Sequence, residues 1–209
     1  MDNTKNRNIE SKYDKIASSY DLIDNIIPSA WRREATGFAY GCVLEVGVGT
    51  GLNLPFYPDS CQEILGIDIS KRMLDKARSK ASDMKLPVRL ETMDVLELPI
   101  RSCSFDCVLA AFVFCSVTDP LQGLKECRRV LKPGGRLILI EHMASENRVL
   151  AALLNWFNPL TVRLLGDHIN RKTVSLTADA GFRICETKNL FADIVRLVIA
   201  ENECNGKWS

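Results

Sequence analysis

Apolar and polar positions alternate along this chain in blocks that predict a repeated order of strands and helices. Short β-type runs, rich in valine, leucine and isoleucine, lie at residues 42–47, 63–70, 88–94, 105–114 and 135–143. The intervening residues 70–84 and 121–131 carry apolar positions at helical spacing, and the first of these helices has Asp68 or Ser70 near its N-cap. Strands that are apolar on both faces and alternate with helices favour a parallel sheet covered by helices.

The two ends of the chain add further elements to this alternating centre. Residues 13–27 carry aromatic and aliphatic positions at helical spacing, and Pro28 is expected to break the N-terminal region into two helices. Beyond the fifth strand, residues 172–182 predict a helix, and residues 182–189 and 193–202 can pair as an antiparallel hairpin. The complete pattern predicts an α/β fold: a Rossmann-like doubly wound sheet, mostly parallel with an antiparallel C-terminal hairpin, with helices on both faces.

Length, composition and charge narrow the class of protein. The 209 residues fit a single domain, and contents of 46% hydrophobic and 25% charged residues exclude a disordered, collagen-like or coiled-coil chain. The net charge of +1 provides no general attraction for nucleic acid or for an anionic bilayer. The longest apolar run, residues 107–117, is far shorter than the roughly 20 residues of a membrane-spanning helix.

The eight cysteines are expected to be free thiols. The chain has no C-x-x-C pair and no secretory signal, which is typical of a protein in the reducing cytoplasm. A zinc site would need paired ligands at short spacing, and Cys103 and Cys107 with only two histidines in the chain match that need poorly. We therefore expect a cytoplasmic protein without a metal.

Three glycines at alternating positions, Gly47, Gly49 and Gly51, directly follow the first strand. Glycine at such positions lets the backbone turn sharply and approach a ligand without Cβ atoms in the way. The dinucleotide fingerprint G-x-G-x-x-G fails because the sixth position counted from Gly47 is Leu52, and the Gly-Lys-Ser/Thr ending of a P-loop is missing. The pattern that remains is an acid, Glu45, followed by G-x-G-x-G, which predicts a ligand loop of a different kind.

Two further acids follow neighbouring strands, at the edge where parallel sheets bind ligands. Asp68 closes the second strand, at the separation from the glycine loop at which a carboxylate accepts both ribose hydroxyls; capping the next helix is its alternative role. Asp94 follows the third strand, where it is placed to accept a hydrogen bond from an adenine amino group, with the Val95 backbone beside it. Together with the glycine loop, these acids predict a site for an adenosine-containing ligand.

Taken in order, these pieces resemble the class I S-adenosylmethionine-dependent methyltransferases from about residue 13 to residue 200. The matching pieces are LEVGVGTG, GIDISKRML, MDVLELP, SFDCVLAAFVFCSV and RVLKPGGRLILIEH, and residues 132–135 are the proline–glycine turn that such enzymes carry before the fifth strand. The resemblance implies S-adenosyl-L-methionine as the cofactor, with the Glu45 carboxylate offsetting its ammonium and sulfonium charges. The residues expected to contact the cofactor are Tyr20, Glu45, Gly47, Gly49, Thr50, Gly51, Asn53, Asp68, Ile69, Met73, Asp94, Val95 and Ala111.

Two segments point to particular branches of that family. Residues 13–24 look like the entry helix of ubiquinone/menaquinone C-methyltransferases and bacterial phosphatidylethanolamine N-methyltransferases, which closes over the cofactor and has Tyr20 as its matching aromatic. The turn IEHMASE is nearer to the phospholipid enzymes and to the microsomal thiol methyltransferases. Its histidine, His142, is the candidate catalytic base, with an ordinary pKa near 6.5. A structural role for His142 and a catalytic role for His168 are the alternatives.

The resemblance implies methyl transfer to a small amphiphilic acceptor. The leading expectation is the amine of phosphatidylethanolamine, and quinone ring C-methylation or thiol S-methylation are the alternatives within the enzyme class. A regulatory protein that binds S-adenosylmethionine without catalysing a reaction is the alternative outside it. Nucleic acid is disfavoured as the acceptor for two reasons. The segment AAFVFCSV after the fourth strand lacks polar residues that could hold a planar amino group, and the chain has no stripe of basic residues.

The chain is expected to form a single methyltransferase domain over residues 1–209. Its expected segments are a helical cap at 1–40, a cofactor-binding core at 41–143, an apolar lid at 146–170, and a closing helix and hairpin at 171–209. Within the lid, residues 148–166 contain an apolar stripe with Leu153 and Trp156, which predicts a weak contact with the inner face of a membrane. Both a monomer and a dimer are compatible with the sequence.

Overall fold

A computed structural model describes residues 27–143 and 173–203 of the protein. Its strands are β1 (Gly41–Val46), β2 (Cys61–Asp68), β3 (Val88–Thr92), β4 (Phe105–Ala111), β5 (Leu131–His142), β6 (Arg183–Phe191) and β7 (Val195–Glu201). Its helices are α1 (Ser29–Thr36), α2 (Lys71–Ser82), α3 (Pro120–Val130) and α4 (Thr173–Asp179), with a short 3-10 helix at Leu54–Phe56. The strands form one seven-stranded sheet in the order β3-β2-β1-β4-β5-β7-β6.

The first five strands are parallel, and the strand order reverses beside β1. Glu45 in β1 lies opposite Gly66 of β2 on one side and Leu109 of β4 on the other. β3 extends the sheet beyond β2, and β5 extends it beyond β4. The chain therefore runs outward through β2 and β3 and then returns across β1 to β4. Such a reversal leaves a crevice at the carboxyl ends of the two central strands.

The last two strands form the antiparallel hairpin that the sequence predicted. β7 pairs with β5, from Arg136 opposite Glu201 to His142 opposite Val195, and β6 pairs along the other side of β7. The sheet is thus mostly parallel with one antiparallel C-terminal hairpin. The prediction of a doubly wound α/β fold is confirmed.

Alternate residues of the central strands are buried on opposite faces of the sheet. Leu44 packs in a hydrophobic core on one face together with Leu124 of α3. Its neighbour Val43 packs in the core on the other face together with Leu74 of α2. Because both faces are buried, these strands consist of continuous apolar runs rather than alternating apolar and polar residues.

The largest differences from the predicted strand boundaries are at the end of β4 and at the start of β5. β4 ends at Ala111 and not at residue 114, because Phe112 adopts a left-handed backbone conformation with φ of 58°, which a strand does not accommodate. β5 begins at Leu131 and not at residue 135, so it includes the predicted proline–glycine turn. The pairing register of β5 with β4 shifts between Leu131 and Arg136, and residues 132–135 bulge out of the ladder there.

Several expectations fall on residues outside the described ranges: the helix at 13–27 with Tyr20, the apolar lid at 146–170, and His168. The helix expected after the break at Pro28 is α1, which starts directly after that proline. Within residues 27–143 and 173–203, no helix is long and apolar enough to cross a membrane. The seven cysteines in these ranges are free thiols.

Candidate functional site

A cleft opens where the carboxyl ends of β1, β2 and β4 meet, beside the reversal of strand order. It is an open cleft of about 930 Å³, counting the solvent at its mouth. The cleft lies at the place where the topology predicts a ligand.

The glycine loop forms one wall of the cleft, and its three glycines have different tasks. Gly47 and Gly49 line the cleft, with φ of 63° and 55°. A Cβ on Gly49 would have nothing nearer than 3.9 Å, so this side of the loop is open to a ligand. Gly51, with φ of 80°, faces inward, where a Cβ would lie 3.0 Å from Leu54 and 3.2 Å from Ala77. Gly51 is needed for packing and does not line the cleft.

Asp68 ties the end of β2 to the glycine loop. Its Oδ2 accepts the N–H of Gly49 at 3.0 Å, and its Oδ1 accepts the N–H of Ser70 at 2.8 Å. Ser70, not Asp68, is the N-cap of α2, because its hydroxyl accepts the N–H of Met73 at 3.2 Å. Each carboxylate oxygen can accept two hydrogen bonds, so these backbone contacts are compatible with a role in binding ribose hydroxyls.

The residues that follow β2 and β3 form an apolar slot in the cleft with one acid beside it. Ile69, Met73, Met93 and Val95 line this slot. Asp94 also lines the cleft, and its Oδ1 accepts the N–H of Leu96 at 2.9 Å. That contact orients the carboxylate beside the slot, where it can accept a hydrogen bond from an exocyclic amino group.

Glu45 lies behind the cleft wall, in a fully buried hydrogen-bond network. Its two oxygens accept the Asn53 amide at 2.8 Å and the Tyr57 hydroxyl at 2.9 Å. Asn53 in turn accepts the guanidinium of Arg32 at 2.9 Å. Burial raises the pKa of Glu45 to about 7, although the hydrogen bonds from Asn53 and Tyr57 act to lower it. Glu45 therefore does not line the cleft; it positions Asn53, which does.

Nine of the predicted site residues come together in the cleft. They are Gly47, Gly49, Asn53, Asp68, Ile69, Met73, Asp94, Val95 and Ala111. Glu45, Thr50, Gly51 and His142 do not line it. Thr50 is buried, and its carbonyl accepts the ammonium of Lys80 at 2.9 Å, so it supports the loop from behind.

His142 ends β5 and lies beside the cleft without lining it. Its ring packs against Phe112, with ring centroids 4.8 Å apart and planes tilted by 47°. Its Nδ1 is buried and has no hydrogen-bond partner among the residues that the structure describes. Burial also lowers the pKa of the imidazole below its usual 6.5.

The sequence interpretation missed twelve lining residues: Arg32, Val46, Val48, Leu52, Ile67, Met93, Leu96, Phe112, Val113, Ser116, Val117 and Thr118. Residues 112–114 were assigned to a strand, which concealed the turn that brings this segment to the cleft. Arg32 is nearly fully buried on α1, where a solvated surface arginine would be expected. The sequence does place Arg32 on an amphipathic helix next to the glycine loop. That pattern alone does not show that the arginine side chain faces inward.

The residues present fit S-adenosylmethionine. The open side of Gly49 leaves space for a ligand against the backbone, Asp68 can accept from ribose hydroxyls, and Arg32 provides a cation for a carboxylate. Within the described residues, no group of histidine, cysteine, aspartate and glutamate side chains is arranged to hold a metal ion.

Known proteins that are similar in sequence agree with this geometry. Residues 44–139 match the methyltransferase domain family. The chain is similar to the demethylmenaquinone methyltransferase of Deinococcus radiodurans, with 40% identity over 147 residues that cover 66% of this chain and 61% of the relative. It is also similar to the phosphatidylethanolamine N-methyltransferase of Cereibacter sphaeroides, with 38% identity over 148 residues that cover 70% of this chain and 72% of the relative. The chain thus spans less than two thirds of the first relative and more than two thirds of the second.

Solved structures share the fold at lower identity. An S-adenosylmethionine-dependent methyltransferase from Mesorhizobium loti has a TM-score of 0.63 and 16% identity, covering 84% of this chain and 98% of that one. A methyltransferase in complex with a Haloferax volcanii activator has a TM-score of 0.71 and 19% identity, covering 92% of this chain and 98% of that one. These structures establish the fold, and the sequence relatives establish the descent: this chain belongs to the class I S-adenosylmethionine-dependent methyltransferases.

Proposed function

We propose that this protein transfers the methyl group of S-adenosylmethionine to a small amphiphilic acceptor, with the amine of phosphatidylethanolamine as the leading candidate. The observation that carries the proposal is the convergence of the Gly49 backbone, the Asp68 carboxylate and an apolar slot in one cleft. The names of the two relatives indicate a lipid amine and a quinone ring as acceptor classes. Quinone C-methylation is therefore the second candidate.

The cofactor is proposed to lie along the cleft with its adenine in the apolar slot. Asp94 accepts from the adenine amino group, Asp68 accepts from the ribose hydroxyls, and Arg32 pairs with the amino-acid carboxylate. Arg32 suits this task because it lines the cleft and its guanidinium is held in place by donating to the Asn53 amide oxygen at 2.9 Å. The cofactor supplies a methyl group on a positively charged sulfur, which leaves as a neutral sulfide. The protein's task is then to align the acceptor with that bond.

The acceptor is proposed to approach from residues 111–118, on the wall opposite Asp68. This wall is made of Ala111, Phe112, Val113 and Val117, with hydroxyl groups from neighbouring serine and threonine residues. An apolar wall of this kind suits a quinone ring or the carbon chain next to a lipid amine. This wall does not resemble a site that holds the planar amino group of a nucleobase by hydrogen bonds.

His142 is the proposed proton acceptor for an amine substrate. An alkylammonium group must lose a proton before its nitrogen lone pair can attack a methyl group. Burial lowers the pKa of His142, which keeps the imidazole neutral at pH 7 and able to accept that proton. Replacing His142 by alanine is expected to lower turnover and to leave cofactor affinity nearly unchanged. Equal turnover in the two proteins would eliminate the base role.

The test is transfer of a tritiated methyl group from S-adenosylmethionine. The protein is incubated in separate reactions with phosphatidylethanolamine vesicles, a demethylated quinol in detergent, and a small thiol. We expect label in the lipid fraction; label only in the quinol or only in the thiol would replace the leading candidate by that alternative. A protein that labels none of them and binds no cofactor by calorimetry would refute the proposed function.

Two aspartate variants make this assay specific to the site. Asp68→Ala removes the carboxylate that joins β2 to the glycine loop and should abolish most of the labelling. Asp75→Ala is the matched control, because Asp75 lies on α2 with its side chain 55% exposed and pairs with Arg78. It should retain parental labelling.

We also propose that residues 148–166 contact the membrane that holds a lipid acceptor. The proposal depends on the sequence, in which Leu153 and Trp156 share an apolar stripe bracketed by arginine residues. Sedimentation with anionic vesicles should detect weak binding of the parent, reduced in Leu153→Ser and Trp156→Ser. Absence of binding by the parent would favour an acceptor that is not in a bilayer.

A further inference from the structure

Phe112 has an unusual backbone conformation for its residue type. It is one of three non-glycine residues with positive φ in the described ranges, together with Cys103 and Ala192, and of these it alone lines the cleft. The left-handed region is disfavoured for residues with a Cβ, and most of all for bulky ones. Side chains held in this way cluster at functional sites, where the surroundings impose the conformation.

Neighbouring groups on two elements hold the Phe112 backbone in place. Its N–H donates to the carbonyl of Ile140 in β5 at 2.7 Å, which continues the β4–β5 ladder one residue beyond the strand. Its carbonyl accepts the thiol of Cys115 at 3.4 Å. The next two N–H groups, of Val113 and Phe114, both donate to Oε1 of Glu141, at 2.9 and 2.8 Å. The turn after β4 is therefore built onto the end of β5.

The Phe112 ring lies at the boundary between the cleft and His142. Phe112 lines the cleft and His142 does not, yet the two rings are 4.8 Å apart. The strand ends bring them together, since Ala111 lies opposite Ile140 two residues before the histidine. An acceptor bound in the cleft reaches the imidazole past this phenylalanine.

We propose that Phe112 is the positioning residue of the acceptor site: its ring separates the cofactor cleft from His142, and displacement of that ring by the acceptor brings the reacting atom into contact with the imidazole. The inference rests on the proposed function and adds a specificity element to it. An acceptor with a flat ring or a compact cationic head can pack on the phenylalanine face, whereas a highly polar head cannot.

The same contact shields the imidazole from water. Burial is the cause of the lowered pKa of His142, and charged neighbours do not account for it. Charged side chains on β5 and β7 near His142 in sequence or register have other partners: Glu141 accepts the two N–H groups of the turn, and Arg196 donates to the carbonyl of Asp193 at 3.1 Å. Removing the Phe112 ring should therefore hydrate His142 and change its titration.

Two variants distinguish the effect of the Phe112 ring from the effect of its left-handed backbone conformation. Phe112→Asn removes the ring but tolerates a left-handed backbone, because asparagine is enriched in that region. Phe112→Tyr keeps the ring and is the conservative control. If Phe112→Asn does not fold, as judged by circular dichroism, Phe112→Leu takes its place.

The first measurement is the titration of His142 by NMR, which needs no acceptor. The chain has two histidines, so His168→Gln assigns the remaining imidazole signal to His142. In the Phe112→Asn protein the pKa of His142 should rise toward the usual 6.5, and in Phe112→Tyr it should stay lowered. An identical His142 titration in Phe112→Asn and the parent would overturn the inference, whatever the activity of the protein.

The second measurement compares acceptor use with cofactor binding. With phosphatidylethanolamine vesicles as the probe, or the quinol or thiol that takes the label instead, kcat/KM for the acceptor should fall in Phe112→Asn at least ten times more than cofactor affinity. Phe112→Tyr should retain the parental kcat/KM for the acceptor. Parental acceptor kinetics in Phe112→Asn would overturn the inference and leave the proposed function intact. A parent protein that binds no S-adenosylmethionine would instead overturn the proposed function and this inference with it.

Discussion

Replacing Glu45 by glutamine should change how the stability of the fold depends on pH. Glu45 is fully buried and accepts hydrogen bonds from Asn53 and Tyr57. Glutamine has nearly the same shape, and it keeps an oxygen for the Asn53 amide and an N–H for the Tyr57 oxygen. The substitution therefore removes the titrating group with little change in packing.

The magnitude follows from the difference in Glu45 pKa between the folded and unfolded chain. The unfolded chain has an ordinary pKa of 4.5 at this residue, and burial raises it to about 7 in the folded protein. Between these two values the folded state binds more protons than the unfolded state, so stability falls as pH rises. Each pKa unit corresponds to about 1.36 kcal/mol, so the full loss is roughly 3 kcal/mol and is complete above the folded pKa.

Urea unfolding of the parent and of Glu45→Gln at about pH 5 and at about pH 8 measures this effect. The free energy of unfolding of the parent, taken relative to the variant, should fall by about 2–3 kcal/mol between these conditions. All other titrating groups are common to both proteins and largely cancel in the comparison. Parallel pH profiles for the two proteins would refute the reasoning.

Three further substitutions test the cleft and its supports. Gly47→Ala should lower the free energy of unfolding by about 2–4 kcal/mol, because its Cβ would lie 2.4 Å from Val113 at φ of 63°. In urea unfolding, Gly134→Ala is the control, since its φ of 73° adds strain but its Cβ would meet nothing within 4 Å. Asp68→Ala should weaken S-adenosylmethionine binding about tenfold or more in calorimetry, since each charge-assisted hydrogen bond is worth roughly 1.5–3 kcal/mol; unchanged affinity would contradict the ribose role. Ser70→Ala should lower unfolding free energy by about 1 kcal/mol through loss of the α2 cap.

The fold could be predicted from the sequence because its elements are encoded locally. The runs at β1, β2 and β5 are apolar on both faces, and only a sheet covered on both sides buries such runs. The helical spacing of α2 and its serine cap are likewise features of a few adjacent residues. The end of β4 was missed because phenylalanine is typical of strands. The left-handed conformation of Phe112 depends on its contact with β5, which is distant in the sequence.

The candidate site was predictable in part, for the same reason. Gly49, Asp68 and Asp94 follow strand ends, and parallel topology brings strand ends to one edge of the sheet. The sequence did not show that Glu45 lies behind Asn53, because position within a strand does not reveal which partners a side chain meets. Arg32 was missed because its contact with Asn53 joins residues 21 positions apart.

By itself, the sequence determined the strand and helix order, the glycine loop and the acids beside it, since these depend on backbone geometry over a few residues. Only the tertiary structure decided which side chains face the cleft and which support it from behind. It placed Glu45 against Asn53, and it packed the Phe112 ring against His142. Those placements depend on strand register and on packing between segments far apart in the chain, and no local pattern specifies either.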